Sequence, residues 1–397
     1  MTTSRRKFIQ TLSLATAGAL VSKSLYPFSN DPQPLRLGII GTGDRGQGMS
    51  QLINEISGME VTALCDILPF RLEKARARVG EKTKACADYR ALLDDPAVDA
   101  VLIATPFSMH AQMFSDALDA GKHVYCEKTM CYGVEPTLAA LKKARASKKI
   151  VQAGHQYRYS KLYQTVAQSI REGLIGPLSR IECQWNRNGN WRRPVPDPKL
   201  ERLINWRMYR EYSGGLVAEL CAHQIDFANW ILDAAPTKIT GFGGIDYWKD
   251  GRETYDNVHL LMDYPGGVKA SFTSLTTNAY DHYRIKVMGK KGTIVLTPEQ
   301  AWLYSEANTP PADTNLLVDG VSGATRTRGG EPAGRRFDIE HTDPSIQALM
   351  DFRDNVAANT LPVSGVETGA RVAIAVQLAL DAMDHNRVEV WKEEYNF

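Results

Sequence analysis

Leu35-Arg36-Leu37-Gly38-Ile39-Ile40, followed by Gly41-Thr42-Gly43-Asp44-Arg45-Gly46, is the stretch on which the fold turns. An apolar run of strand length enters a turn carrying three glycines, and a helical stretch continues to about Ser57. A second apolar run, Met59 to Leu64, ends at Cys65-Asp66. Gly41 permits a tight turn off the strand, Gly43 lets backbone approach a pyrophosphate, and Gly46 lets the helix close onto the sheet. The start of the helix offers free N–H groups and a positive dipole end to phosphates, with Asp44 and Arg45 inside the same cradle. Asp66 stands where a carboxylate accepts from both ribose hydroxyls of an adenosine. Glycine-rich turns are common in ordinary βα units. The strand before, the helix after and the later acid are the context that turns this one into a dinucleotide site. An acid at position 66 repels a 2′-phosphate, so NAD is the expected cofactor, while Arg71 keeps NADP open.

Beyond Asp66 the alternation of strand and helix continues. Ala100-Val101-Leu102-Ile103-Ala104 is an unbroken apolar run, as in a parallel strand buried on both faces. His123 to Cys126 and Ile150 to Ala153 are the next strands, with helices over Met109–Ala120 and Val134–Ser147 between them. This predicts an open, doubly wound parallel sheet ending near residue 155. The pattern then changes to strands at short spacing: 179–186, 238–248, 257–264, 268–277, 283–289, 292–297 and 301–304. Asp263-Tyr264-Pro265-Gly266-Gly267 and Gly289-Lys290-Lys291-Gly292 read as hairpin turns. The expected fold class is therefore α/β plus α+β. A Rossmann domain covers 31–155, and a second domain with an open, mostly antiparallel sheet covers 156–397. Two helices, near 344–358 and 366–385, close the chain. The free face of such a sheet is a candidate homo-oligomer interface. Residues 187–204 and 306–336 are long irregular stretches, a length at which loops are functional lids or disordered segments.

The chain has 397 residues, enough for two domains, and its 43% apolar and 23% charged content places it among globular proteins. The net charge of +2 is uneven: residues 1–30 hold Arg5, Arg6, Lys7 and Lys23 and no acid. Without those four, 43 basic residues face 45 acidic ones. That balance argues against nucleic acid or anionic lipid as a partner. Ser4-Arg5-Arg6-Lys7-Phe8-Ile9 is a twin-arginine pattern, and the apolar run to Val21 is shorter than the ~20 residues a bilayer span requires. A signal over 1–30, a periplasmic product and no stable membrane anchor are the expectations. The six cysteines show no C-x-x-C and no paired spacing, so buried free thiols are expected in place of disulfides or zinc.

Three clusters could carry chemistry. Glu127-Lys128 stands at the carboxyl end of a parallel strand, where such sheets bind ligands. Burial beside a cationic nicotinamide would lower the lysine pKa and fit it to relay a hydroxyl proton; a solvated surface lysine stays open. Gly214-Gly215 precedes a mostly apolar helical run in which Glu219 and His223 are four apart and Asp226 follows. Glu219 is expected to orient His223 and raise its basicity, so that the imidazole serves as base for an alcohol losing hydride. Asp226 could orient it as well, and a satisfied core histidine stays open. Metal ligation by His223 and Asp226 is the weaker reading, and no metal is expected. Tyr157 and Arg158 follow the last parallel strand, and Asn188, Asn190, Trp191, Arg192 and Arg193 lie in the first long loop. Aromatic faces with Asn and Arg suit a carbohydrate, and equally an interdomain or subunit contact.

Together these segments resemble the glucose–fructose oxidoreductase, inositol dehydrogenase and rhizopine-catabolism (Gfo/Idh/MocA) family over nearly the whole chain after residue 30. The resemblance rests on the glycine loop, Thr105-Pro106 with His110, Glu127-Lys128, the run from Gly214 to Asp226, and the change to an antiparallel sheet. It implies a nicotinamide-dependent enzyme acting on a sugar or polyol, with Lys128 and His223 on the substrate hydroxyl and Thr105, Pro106, His110 and Glu127 by the cofactor. Two positions depart from the family pattern: Glu219 replaces the usual Asp, and Thr129 the usual Pro. A related group, the NAD-dependent α-N-acetylgalactosaminidases, cleaves glycosides by transient oxidation at C3. Those enzymes generally lack the Glu-Lys pair, so its presence favours a dehydrogenase, with C3 of a glycoside as a candidate carbon. Non-catalytic sugar or nucleotide sensors also occur in the family and form the third reading.

Overall fold

The alternation of apolar runs and glycine turns builds a six-stranded sheet. In the computed structural model, which describes residues 33–306 and 333–397, strands β1 (Leu35–Ile40), β2 (Met59–Cys65), β3 (Lys84–Cys86), β4 (Ala100–Ile103), β5 (His123–Cys126) and β6 (Val151–Ala153) lie in the order β3-β2-β1-β4-β5-β6. All the pairings in it are parallel. Every residue of β4 is buried, the burial on both faces that the apolar run implied. The strand order reverses between β1 and β4, and open α/β sheets bind ligands in the crevice at such a point. Helices α1 (Asp44–Glu55), α2 (Pro69–Val79), α3 (Tyr89–Leu93), α4 (Phe107–Asp119) and α5 (Val134–Ala146) connect the strands. Gly46 is required where α1 meets β1: a Cβ there would stand 1.9 Å from the Gly41 carbonyl oxygen.

The second sheet has nine strands: β7 (Leu178–Asn186), β8 (Lys238–Gly244), β9 (Asn257–Asp263), β10 (Lys269–Leu275), β11 (Tyr283–Gly289), β12 (Gly292–Leu296), β13 (Ala301–Ser305), β14 (Arg335–Arg336) and β15 (Glu389–Val390). Their order is β14-β13-β12-β11-β7-β10-β9-β8-β15. Only β7 with β10 is parallel. The two hairpins fall where the sequence placed them, β9 with β10 and β11 with β12. One face packs on α6 (Lys161–Arg171), α7 (Ala222–Leu232) and α9 (Val366–Asp384), with Val166, Ile225, Phe272, Ile285 and Ile374 in one core. The other face leaves Phe242 and Leu261 exposed.

The layers are tied together by the last two helices. Ala348, Leu349 and Phe352 of α8 (Pro344–Ala358) share a core with Leu37, Ile39 and Tyr125 of the first sheet, and Phe352 meets Tyr125 edge-on at 5.7 Å. Helix α9 begins in the first layer at Val366 and Ala370 and continues into the second. Residues 156–397 are therefore not one layer, and Leu35–Phe397 forms a single compact unit. All six cysteines are free. No helix among the described residues is long and apolar enough to cross a membrane. The twin-arginine segment and most of the stretch 306–336 lie outside the described residues.

Candidate active site

The first half of the site forms where β1 ends. Gly41 takes φ +93°, a conformation natural only to glycine, and its N–H donates to the Cys65 carbonyl at 2.8 Å. Helix α1 has Gly43 at its N-cap and no side-chain cap, so its first N–H groups are free for an anion. Asp66 is buried and accepts from Thr42 N (2.8 Å), Thr42 Oγ1 (3.1 Å) and Leu68 N (2.9 Å). Gly41, Gly43, Asp44, Arg45, Asp66, Thr105 and Pro106 line a cavity of ≈ 430 Å³. An uncapped helix start, a glycine cradle and an acid at the second strand end fit a dinucleotide: the loop suits its pyrophosphate and Asp66 an adenosine ribose. Arg71 lines the same cavity beside Asp66.

A second cavity of ≈ 210 Å³ shares Arg45, Ala104, Thr105, Trp206 and Arg207 with the first, so the two adjoin. Its far wall holds Phe107, Glu127, Lys128, Gln156 and Glu219. Arg45 pairs with Glu127 at 2.6 Å and keeps one buried terminal nitrogen without a partner. Lys128 Nζ donates to the Glu219 carbonyl at 2.9 Å, lies 3.5 Å from its Oε2 and faces the Phe107 ring at 5.6 Å. Burial lowers the Lys128 pKa and Arg207 and Arg45 lower it further, against Glu219 and Glu127, so it sits below the usual lysine range. His223 is buried and its Nδ1 has no partner; the rings of Tyr157, Trp185 and His155 stand 5.2, 5.6 and 6.3 Å away. Burial, then the charges of Lys128, His155 and Arg45, hold its pKa well below the histidine norm. The imidazole is therefore held neutral, and it lines neither cavity.

Several residues do something other than the sequence suggested. Glu219 does not orient His223. Its carboxylate turns to two cations, Arg207 Nε at 2.7 Å from Oε1 and Lys128, because opposite charges at those distances hold it more strongly than a neutral imidazole could. Burial pushes its pKa up, but Arg207 and Lys128 outweigh that and hold it below the carboxylate norm. Asp226 is likewise taken, by a bidentate pair with Arg158 at 2.9–3.0 Å; Asp226 is buried, Arg158 is partly buried, and neither lines a cavity described above. His110 is fully buried, with Nδ1 3.0 Å from the Thr129 carbonyl and Nε2 2.9 Å from the Thr105 carbonyl. It braces the ends of β4 and β5 and lines the second cavity. In the long loop, Arg192 is held by Asp250 and Glu201, the Asn190 side chain accepts from Arg192 N, and Trp191 packs on the second-layer core. None of the three lines either cavity.

Sequence reasoning missed Trp206 and Arg207, which lie just past the loop it singled out; of that loop's candidates, Arg193 is the one that reaches a cavity. Arg193 pairs with Asp44 at 2.5 Å and lines the larger cavity. Asn205 clamps the Arg193 backbone from both sides. Among the described residues no cluster of His, Cys, Asp and Glu could hold a metal.

Residues 35–155 match the model of an oxidoreductase family with an NAD-binding Rossmann fold, and residues 163–295 that of the GFO/IDH/MocA C-terminal domain. The chain is 26% identical over 266 residues to the NAD(+)-dependent scyllo-inositol 2-dehydrogenase of Bacillus subtilis, covering 66% of this chain and 73% of that protein. It is 30% identical over 277 residues to an oxidoreductase of Synechocystis, covering 66% and 71%. A levoglucosan dehydrogenase solved with NADH and levoglucosan superposes with a TM-score of 0.72, covering 90% of this chain and 99% of that one; at 18% identity this shows the fold alone.

Proposed function

The chain belongs to the GFO/IDH/MocA family of NAD-binding oxidoreductases, and from that premise we propose that it moves hydride between a hydroxyl-bearing ring carbon of a sugar or glycoside and nicotinamide. The observation that carries this is the placement of Lys128 on the wall of a cavity that adjoins the dinucleotide groove, with a neutral histidine close enough for the lysine charge to depress its pKa. Bound NAD supplies the hydride acceptor. Lys128 hydrogen-bonds the substrate hydroxyl, and its lowered pKa lets it hold or release that proton. His223, held neutral beside the lysine, takes the proton that Lys128 relays as hydride leaves. Glu219 fixes the ammonium end of Lys128. Phe107 and Trp206, edge to face at 5.2 Å, give the cavity an apolar wall suited to the C–H face of a ring. C3 of a glycoside is the carbon to examine first, because a ketone there acidifies H2 and prepares elimination.

The test is the double variant Lys128→Met with His223→Ala on a broad sugar and glycoside panel, read by NADH formation. Loss of about two orders of magnitude or more in kcat is expected from removing the groups that handle the proton; near wild-type turnover on any substrate refutes the assignment. Release of a reducing sugar without net NADH would instead favour the glycosidase reading, and tight NAD binding with no turnover the sensor reading. The proposal extends to export through Ser4–Ile9 and to self-association through the sheet face bearing Phe242 and Leu261. Cell fractionation of the full chain against Arg5→Lys with Arg6→Lys tests the first, and light scattering of Phe242→Glu the second.

A further inference from the structure

Arg207 is immobilised without using its terminal nitrogens. Its Nε is held 2.7 Å from the buried Glu219 carboxylate, and its guanidinium lies over the Trp206 ring at 4.2 Å. Trp206 is itself 7% exposed and packed against Phe107. Neither terminal nitrogen bonds a described protein group, yet the residue lines both cavities at their junction. A planar fork with two free donors, pinned from behind and stacked on one face, is preorganised to take a carboxylate in bidentate fashion.

The charges agree. Arg45, Lys128 and Arg207 line the substrate cavity with Glu127 and Glu219. Arg45 is matched by Glu127, while Glu219 serves Lys128 and Arg207 together. One positive charge is therefore left over among these side chains. A neutral sugar leaves that surplus unmatched. A carboxylate matches it with one charge, where a phosphomonoester would bring about −1.5 to −2.

Resting on the reading above, we propose that Arg207 is the specificity-determining residue of this cavity and that the substrate is a sugar bearing a carboxylate, a uronic acid or its glycoside. The experiment compares the NAD-loaded enzyme on matched pairs, glucuronate with glucose, galacturonate with galactose, and the methyl glycosides of each. For the best pair, kcat/KM for the acid should exceed that for the neutral sugar by about tenfold or more, the scale of a charge-assisted contact. The excess should lie chiefly in KM. In Arg207→Met the acid-to-neutral ratio should fall by about tenfold, and Arg207→Lys, a point charge without the fork, should restore part of it. Equal use of acid and neutral sugars by the wild type overturns the proposal. So does an unchanged ratio in Arg207→Met accompanied by weaker NAD binding, which would assign the guanidinium to the dinucleotide. Should no sugar of either kind yield NADH, the parent reading fails on its own. Calorimetry of uronate and neutral sugar binding to the NAD complex, wild type against Arg207→Met, then decides this inference: acid-selective binding lost in the variant upholds it, and selectivity absent from the wild type or kept in the variant ends it.

Discussion

Replacing Glu219 by Gln separates two roles for this carboxylate. Glu219 Oε2 lies 3.5 Å from Lys128 Nζ, Oε1 lies 2.7 Å from Arg207 Nε, and Glu219 and Lys128 are about nine-tenths buried. At an effective dielectric of about 20, unit charges 3.5 Å apart attract by roughly 5 kcal/mol before desolvation is subtracted. Removing one partner of a buried pair costs about 3–5 kcal/mol. Arg207 is partly open to water and recovers some solvation, so the lower end applies, about 3 kcal/mol, or a fall in Tm on the order of 5 °C. Without the carboxylate, the Lys128 ammonium loses its largest stabilising charge, and burial with Arg207 and Arg45 remains. Its pKa must fall further. Trace labelling with acetic anhydride across a pH series, followed by mass analysis of the Lys128 peptide, reads that titration without a substrate. The His223 imidazole, followed by NMR, should lose no proton-attracting partner and keep its low pKa. A Lys128 titration that stays or rises, or a His223 titration that drops in its place, would refute the coupling and restore Glu219 to the histidine.

Three further outcomes follow from buried groups. His110, His155 and His223 are at most 6% exposed and all have pKa values lowered first by burial; the unfolded chain therefore binds protons below about pH 6.5 that the native state refuses, so stability falls with pH there by up to about 1.4 kcal/mol per ring between pH 7.5 and 5.5. Urea unfolding at the two pH values measures this, and His155→Phe should flatten the dependence. Gly46→Ala places a Cβ 1.9 Å from the Gly41 carbonyl; a backbone shift costing about 1–3 kcal/mol should weaken NADH binding about tenfold to hundredfold by fluorescence titration. Arg158→Leu leaves Asp226 buried and unpaired, a loss of about 3–5 kcal/mol that Asp226→Asn in the same chain should partly restore, as read by thermal melting.

What the sequence disclosed and what it concealed divide by the range of the interaction. The Gly41–Gly46 loop, Asp66 and the hairpin at Pro265-Gly266-Gly267 were legible because each conformation is demanded by residues a few places apart. Helices α8 and α9 closed within a residue of their expected ends, where an αL Asn359 and the exposed stretch after Asp384 stop them. Glu219 and Asp226 were read against the nearest imidazole on their own helix. In the fold each carboxylate goes to a cation 12, 68 or 91 residues away, because an ion pair in a poorly solvated interior outweighs a nearby neutral group. The same holds in the long loop, whose composition suggested sugar contacts while Asp250 and Glu201 satisfy Arg192. Arg207 escaped notice for the converse reason. Nothing around it in the chain marks it, and its importance comes from Glu219 pinning one edge of a guanidinium whose other edge the protein leaves unused. In a site built this way the residues that bear on chemistry are identified by which charges remain uncompensated after the long-range pairs have formed, and that count can be made only once the two layers are folded against each other.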